Sequence, residues 1–243
     1  QAERRVLFRQ PSLAGEIFQR RERMPLVRFL QYIGLIFLMQ MLFSYITGLF
    51  ELLFNHFGYT LQYSEAMNAD YAGSWTLLTY AVLLGPLAEE IVYRGFLMRG
   101  LEPCGRRYAL IVCSVVFGLM HGDFQQSMFT VFAGLLFGYA AMRYSVWYSL
   151  ALHIFNNGIL GELWIWFIDR APDTVYITLI LIFLVLSAIG TVQLIRKRGR
   201  DAVLWLKEEQ TRPGAWPALV NLWMILFLAY SVTEIVLSIR PLT

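Results

Sequence analysis

The chain has 243 residues, of which 58% are hydrophobic and 15% are charged, and its formal net charge is +3 at pH 7. A soluble globular domain is about one quarter charged and at most half apolar, so this composition excludes an ordinary water-soluble fold. The slight positive balance is a topological signal and does not indicate nucleic-acid binding. The two cysteines, Cys104 and Cys113, lack the spacing of a disulfide framework or a zinc motif, which predicts reduced thiols.

Hydrophobic segments of the length that a bilayer requires follow one another along the chain. There are seven, at about 29–54, 72–100, 107–122, 125–142, 146–168, 174–195 and 218–239. Cytoplasmic loops retain Lys and Arg, and a cytoplasmic N-terminus places 18 of the 20 basic residues inside, leaving Arg170 and Arg240 outside. The sequence therefore predicts an all-α, polytopic membrane helix bundle of about seven spans with its N-terminus in the cytoplasm.

The domain organisation predicted from this pattern is simple. A basic segment, 1–28, has no signal-peptide pattern, and we expect it to lie on the anionic leaflet as an amphipathic helix. Residues 29–243 form one membrane-embedded domain, whose most flexible connection is the Gly- and Pro-containing stretch 196–217. The expected location is the inner membrane of a bacterium.

Strongly polar side chains are rare within the spans, and each one requires a partner, a cavity or a function. The second segment contains GPLAEEIVYRGFL, which places Glu89, Glu90 and Arg94 in an apolar helix after Pro86. Glu90 and Arg94 stand four residues apart and are expected to pair, whereas Glu89 is rotated by about 100° and is freer to face a cavity. Pro86 is expected to kink or restart the helix, which would place the carboxylates near a helix N-terminus.

Two further spans carry imidazole and amide groups. The third segment ends in VVFGLMHGDF, with Phe117 one turn before His121, and the fifth begins with SLALHIFNNGIL, in which His153 and Asn157 share a helix face. Any one of these residues is explained by an interhelical hydrogen bond. Together with the glutamates and Arg94 on a separate span, they favour one shared, water-filled pocket.

Three motifs resemble the signatures of the CPBP family, the CaaX-protease and bacteriocin-processing enzymes also called Abi. They are Glu-Glu-x-x-x-Arg at 89–94, Phe-x-x-x-His at 117–121 and His-x-x-x-Asn at 153–157, in a motif core of about 72–195. The resemblance implies an intramembrane endopeptidase whose cavity opens to the cytosol. Its substrate would be a membrane-associated peptide or protein, and no cofactor would be needed.

The resemblance also implies roles for the site residues. Glu89 matches a general base that activates water, His121 matches its partner, and His153 and Asn157 match the groups that stabilise the oxyanion. These residue types suit peptide hydrolysis, because a base must take a proton from water and fixed donors must meet the tetrahedral intermediate. Arg94 would orient or neutralise Glu90.

Alternatives remain open at the level of sequence. A zinc-dependent membrane protease is conceivable because two histidines and a carboxylate form a common zinc set, although His153 is followed four residues later by asparagine, a poor zinc ligand. A non-catalytic bacteriocin-immunity or transport protein would use the same polar groups for binding or ion passage. Ser114, Ser149 and the cysteines lack the sequence context of a nucleophile.

Overall fold

The computed structural model describes residues 22–61, 74–168, 170–208 and 210–242, and this part of the chain is almost entirely helical. The helices are α1 (Leu26–His56), α2 (Trp75–Cys104), α3 (Arg106–Leu119), α4 (Phe124–Arg143), α5 (146–168), α6 (Asp173–Lys207), α7 (Ala215–Ala218) and α8 (Leu222–Ser238). Each of the seven predicted segments overlaps one of the longer helices. The chain is thus an all-α membrane protein, as predicted.

Three of the described helices, α1, α2 and α6, are long and apolar enough to cross a membrane, and α8 is a shorter apolar helix. Most of the α6 surface faces outward, since only 11% of its most apolar window is buried within the protein. An exposed apolar surface of this size requires lipid around it. The count of seven spans and the orientation of the N-terminus stay predictions, and most of the segment 1–28 lies outside the described residues.

Helix α2 continues without a break through Pro86, so the predicted restart is wrong. The turn before the proline, Tyr80–Leu84, is a π-helix, and the N–H of Gly85 bonds to the carbonyl of Tyr80, five residues back. If this spacing of five residues continued, residue 86 would donate to the carbonyl of Ala81, but Pro86 has no N–H. The Ala81 carbonyl therefore receives no bond from Pro86. Glu89 and Glu90 therefore lie inside a helix and not at a free N-terminus.

The bundle has two connected apolar cores. The first joins α1, α4, α5 and α6 through residues such as Phe37 and Leu152. The second joins α2, α3, α4 and α5 through residues such as Met98 and Phe117. Glycines allow the close approach of α3 and α4: a Cβ on Gly134 would lie 3.2 Å from the Ser114 Cα atom. The small residues of α4 thus pack within one chain.

The two ends of the bundle are fixed by short contacts. A two-residue antiparallel ladder pairs Tyr59–Thr60, after α1, with Arg240–Pro241, after α8, so both helices end on the same side. On the opposite side, the backbone N–H of Arg212 donates to the carbonyl of Cys104. The predicted flexible stretch 196–217 is in part wrong, because the helix continues through Arg200–Glu208.

Candidate active site

Glu90 lies at the centre of the polar cluster and is completely buried. Its Oε1 atom lies 3.0 Å from Nδ1 of His153 and 3.3 Å from Nη1 of Arg94, and its Oε2 atom is 2.6 Å from the Ser149 hydroxyl. Because a carboxylate only accepts, the His153 ring donates its Nδ1 proton to Glu90. The predicted ion pair between Glu90 and Arg94 is present within α2. The bonds of Glu90 to His153 and Ser149 join α2 to α5.

Arg94 is also fully buried and is enclosed by aromatic rings. Its guanidinium carbon lies 4.0 Å from the centre of the Phe117 ring and 5.7 Å from that of Phe137. A desolvated guanidinium is attracted to the negative face of an aromatic ring. The charge of Arg94 is thus balanced by Glu90 on one side and by the Phe117 face on the other, so this pair is a buried structural unit.

Glu89 occupies the other face of α2 and is more open. Its side chain is 23% exposed, and its Oε2 atom lies 3.6 Å from Nε2 of His153, longer than a direct hydrogen bond. It also interacts electrostatically with His121. His153 therefore separates the two carboxylates, with one ring nitrogen toward each. The rotation expected between adjacent helical residues has placed Glu90 inside and Glu89 toward open space.

The two imidazoles are held by the same aromatic side chain. The Phe117 ring contacts His121 at a centroid distance of 5.0 Å and His153 at 5.9 Å, both edge to face. Nδ1 of His121 lies 2.9 Å from the carbonyl oxygen of Phe117, which can only accept, so this nitrogen carries the proton. In the neutral ring, Nε2 is then the acceptor.

Glu89 and the end of α3 that leads to His121 lie at similar distances from the turn that joins α2 to α3. Helix α2 continues to Cys104, so Glu89 lies 15 residues, or about 22 Å, before the turn that joins α2 to α3. His121 lies a similar number of residues after Arg106, on the other side of this turn. Glu89 and His121 are therefore at the same level of the bundle.

Asn157 lies one turn beyond His153 and is fixed at both ends of its amide. Its Nδ2 atom donates to the carbonyl of Ala81 over 3.0 Å, which supplies the partner that Pro86 cannot. Its Oδ1 atom accepts from Nδ2 of Asn156 over 2.9 Å. One of the two Nδ2 protons bonds to the Ala81 carbonyl, so the second proton is left to donate to another acceptor.

Five of the six residues predicted from the sequence interact with one another, in two layers, and the sixth, Asn157, lies one turn beyond His153. Glu90 and Arg94 are inaccessible, whereas Glu89 is partly exposed. Sequence reasoning gave no role to Ser149 or Phe137. Ser149 donates its hydroxyl proton to Glu90 or to the Phe137 carbonyl, and the Phe137 ring stacks on His153 at 4.9 Å. Ser149 could have been found, because it lies one turn before His153 on the same helix face.

Within the four described ranges, no group of three or more His, Cys, Asp or Glu side chains has an arrangement suited to a metal ion. The nitrogen of His153 nearer to Glu90 is already occupied by that carboxylate.

Comparison with known proteins gives one match. Residues 71–159 match the family model described as Rce1-like, type II CAAX prenyl endopeptidase. No curated protein and no solved structure matches the chain. The matched segment contains all three motifs and all six predicted site residues, so the family resemblance is confirmed over residues 71–159, and this segment is similar to Rce1-like CAAX proteases, which are hydrolases.

Proposed function

We propose that this protein is an intramembrane endopeptidase that hydrolyses a peptide bond in a membrane-associated protein or peptide by means of a glutamate-activated water. The observation that carries the proposal is the pair of adjacent carboxylates in different environments. Glu90 is buried and paired, whereas Glu89 is partly exposed beside two imidazoles. The match to a protease family over residues 71–159 supports the same reaction class.

Glu89 acts as the general base in this proposal. A water molecule held between Glu89 and Nε2 of His121 attacks the carbonyl carbon of the scissile bond, and its proton passes to the Glu89 carboxylate. The carbonyl double bond opens, and the oxygen becomes an oxyanion. The carbon–nitrogen bond then breaks, and the leaving nitrogen takes the proton from Glu89. A positioned acid–base group of this kind contributes roughly 10²- to 10⁴-fold to the rate.

The oxyanion is stabilised by groups on α5. The second Nδ2 proton of Asn157 is one donor, and a protonated Nε2 of His153 is the other. Nδ1 of His153 donates to Glu90, so an imidazolium at this position is balanced by the Glu90 carboxylate. Donors fixed in advance on a rigid helix stabilise developing charge without further reorganisation. Glu90 and Arg94 thus act as positioning residues for His153 and not as groups that touch substrate.

The proposed setting is a bacterial inner membrane with the active site open to the cytosol. The distribution of basic residues favours this orientation. The pairing of Tyr59–Thr60 with Arg240–Pro241 places the ends of α1 and α8 on the same side, which supports an odd number of spans. The matched family is described as prenyl endopeptidases. A peptide ending in a prenylated Cys-a-a-X sequence is therefore the first substrate to test, and the reaction requires no cofactor.

The test uses the purified full chain in lipid nanodiscs with prenylated and unprenylated Cys-a-a-X peptides. We expect wild-type protein to release the C-terminal tripeptide, and Glu89→Gln to abolish release. Glu102→Gln is the matched control, since this glutamate lies on the same helix and pairs with Arg99 at 2.6 Å, away from the site.

A chelator arm separates the two hydrolytic mechanisms. Activity that survives chelation supports the glutamate-activated water, and activity that chelation removes and zinc restores would establish a metalloprotease. Release of the tripeptide by purified Glu89→Gln at the wild-type rate would overturn the role of Glu89.

A further inference from the structure

The Asn157 amide is the last member of a hydrogen-bonded chain that begins on α1. Nε2 of Gln40 donates to Oδ1 of Asn156 over 3.0 Å, and Nδ2 of Asn156 donates to Oδ1 of Asn157 over 2.9 Å. Asn157 donates in turn to the carbonyl of Ala81 over 3.0 Å. Three side-chain amides from two helices thus connect α1 through α5 to α2.

The direction of this chain is set by its last acceptor. A backbone carbonyl cannot donate, so Asn157 must turn Nδ2 toward Ala81 and Oδ1 toward Asn156. Asn156 must then present Nδ2 to Asn157 and Oδ1 to Gln40, and Gln40 must present its NH₂ group. Each asparagine amide can make its two bonds in only one orientation, because oxygen accepts and nitrogen donates, and the bond from Gln40 likewise requires its nitrogen.

Two features make this arrangement rigid. Asn156 is buried, with 8% of its surface exposed, so an unpaired amide there would be costly. Beside it, a Cβ on Gly158 would lie 2.8 Å from a methyl group of Val82, which shows how closely α5 approaches α2 at this level. The Asn157 amide is therefore held between a close backbone contact and the Asn156 amide.

We infer that Gln40 and Asn156 are positioning residues that fix the orientation of the Asn157 amide for oxyanion stabilisation. The inference rests on the proposed function. Gln40 lies outside the matched segment 71–159, so the match to the protease family assigns it nothing. Through these hydrogen bonds, α1 helps to position Asn157 in addition to packing against α6.

The inference predicts which substitutions are tolerated. Gln40→Glu places an acceptor opposite Oδ1 of Asn156, and Asn156→Asp removes the donor to Asn157, although each new side chain is close in size to the original one. Both should lower kcat with little change in KM, because only a donor used in the transition state is displaced. Gln31→Leu is the matched control, since Gln31 is a buried glutamine of the same helix that packs near Gly190 of α6.

The decisive experiment is a double-mutant cycle on purified protein with the prenylated Cys-a-a-X peptide. Removing one oxyanion donor by Asn157→Ala should cost about 100-fold in kcat, and Gln40→Leu about 10-fold. If Gln40 acts only through Asn157, the double variant should lose about 100-fold, and not the roughly 1,000-fold of two independent effects. Independent effects, or a full loss in the Gln31→Leu control, would overturn the inference.

The thermal midpoints of the same four proteins give a readout that does not depend on catalysis. If the three amides are linked as described, Gln40→Leu should lower the thermal midpoint of the wild-type protein. The same substitution should lower the thermal midpoint of the Asn157→Ala variant by a smaller amount. An absence of peptide release by the wild-type protein would count against the proposed function. Additive shifts of the thermal midpoint would contradict the hydrogen-bonded link between Gln40 and Asn157.

Discussion

The two faces of α2 at its carboxylate pair differ in nearly every physical property. Glu90 is fully buried and is bound by Arg94, His153 and Ser149. Glu89, the preceding residue, is 23% exposed and lies 3.6 Å from the other nitrogen of His153. Identical side chains, one residue apart, are thus divided between a closed structural network and an open face.

This difference shows how an apolar bundle can hold one carboxylate buried and paired while its neighbour is partly exposed. A buried ion pair contributes little net stability, because desolvation of both charges offsets their attraction. The Glu90 carboxylate of this ion pair accepts from Nδ1 of His153 and so orients the ring, whose Nε2 atom faces Glu89. The closed face, which contains Glu90, thereby sets the geometry of the open face, which contains Glu89.

The largest effect is expected on the open face. Glu89→Gln retains the size and most of the polarity of the side chain but cannot accept a proton from water. We expect a loss of about 10⁴-fold in kcat for peptide release, with unchanged expression and thermal midpoint. An equal loss in the Glu102→Gln control would point to a general defect of the membrane domain.

The second effect belongs to the closed face and concerns stability. Arg94→Leu leaves the Glu90 carboxylate buried with its cation removed, and it also removes the contact of the guanidinium with Phe117. Loss of one partner of a buried ion pair costs about 3–5 kcal/mol. Unfolding in detergent should show this loss, and Glu90→Leu combined with Arg94→Leu should restore part of it. An unchanged midpoint in the single variant would contradict the closed network.

A smaller effect is expected at His121. The ring is oriented by its bond to the Phe117 carbonyl and interacts with Glu89. His121→Ala should lower kcat by about 100-fold while the protein stays folded, because the base remains but its partner is lost. Partial recovery on addition of imidazole would support a direct role, and wild-type kcat in the variant would exclude it.

The smallest effect is expected at Ser149. Ser149→Ala removes one of three groups bound to Glu90 and leaves Arg94 and His153 in place. The free energy of unfolding should fall by about 1–3 kcal/mol, the cost of one lost bond to a buried charged group. Chemical denaturation of the purified protein would measure this change, and an unchanged free energy of unfolding would contradict the hydrogen bond from Ser149 to Glu90.

The sequence predicted those parts of the molecule that depend on local spacing. Apolar runs located the long helices, and the four-residue spacing of Glu90 and Arg94 predicted their ion pair. The prediction that Pro86 restarts the helix is wrong, because the π-helical turn at 80–84 and the amide of Asn157 together compensate for its missing N–H.

The parts that could not be predicted depend on residues far apart in the chain. The bond from Gln40 to Asn156 spans 116 positions, and that from Ser149 to Glu90 spans 59. Nothing in the spacing of α1 indicates that Gln40 faces α5. The enclosure of Arg94 by Phe117 and Phe137 likewise follows only from the packing of α2, α3 and α4.

The most direct test of the account is a mass-spectrometric comparison of peptide termini in cells that express the wild-type protein or Glu89→Gln at equal levels, with a chelator-treated membrane control. A peptidase that uses a glutamate-activated water predicts termini that are present with wild-type protein, absent with Glu89→Gln and unaffected by chelation, and these termini would identify the substrate. Identical termini in both cells, with the biological effect of the protein retained, would contradict a peptidase and favour the non-catalytic immunity or transport function.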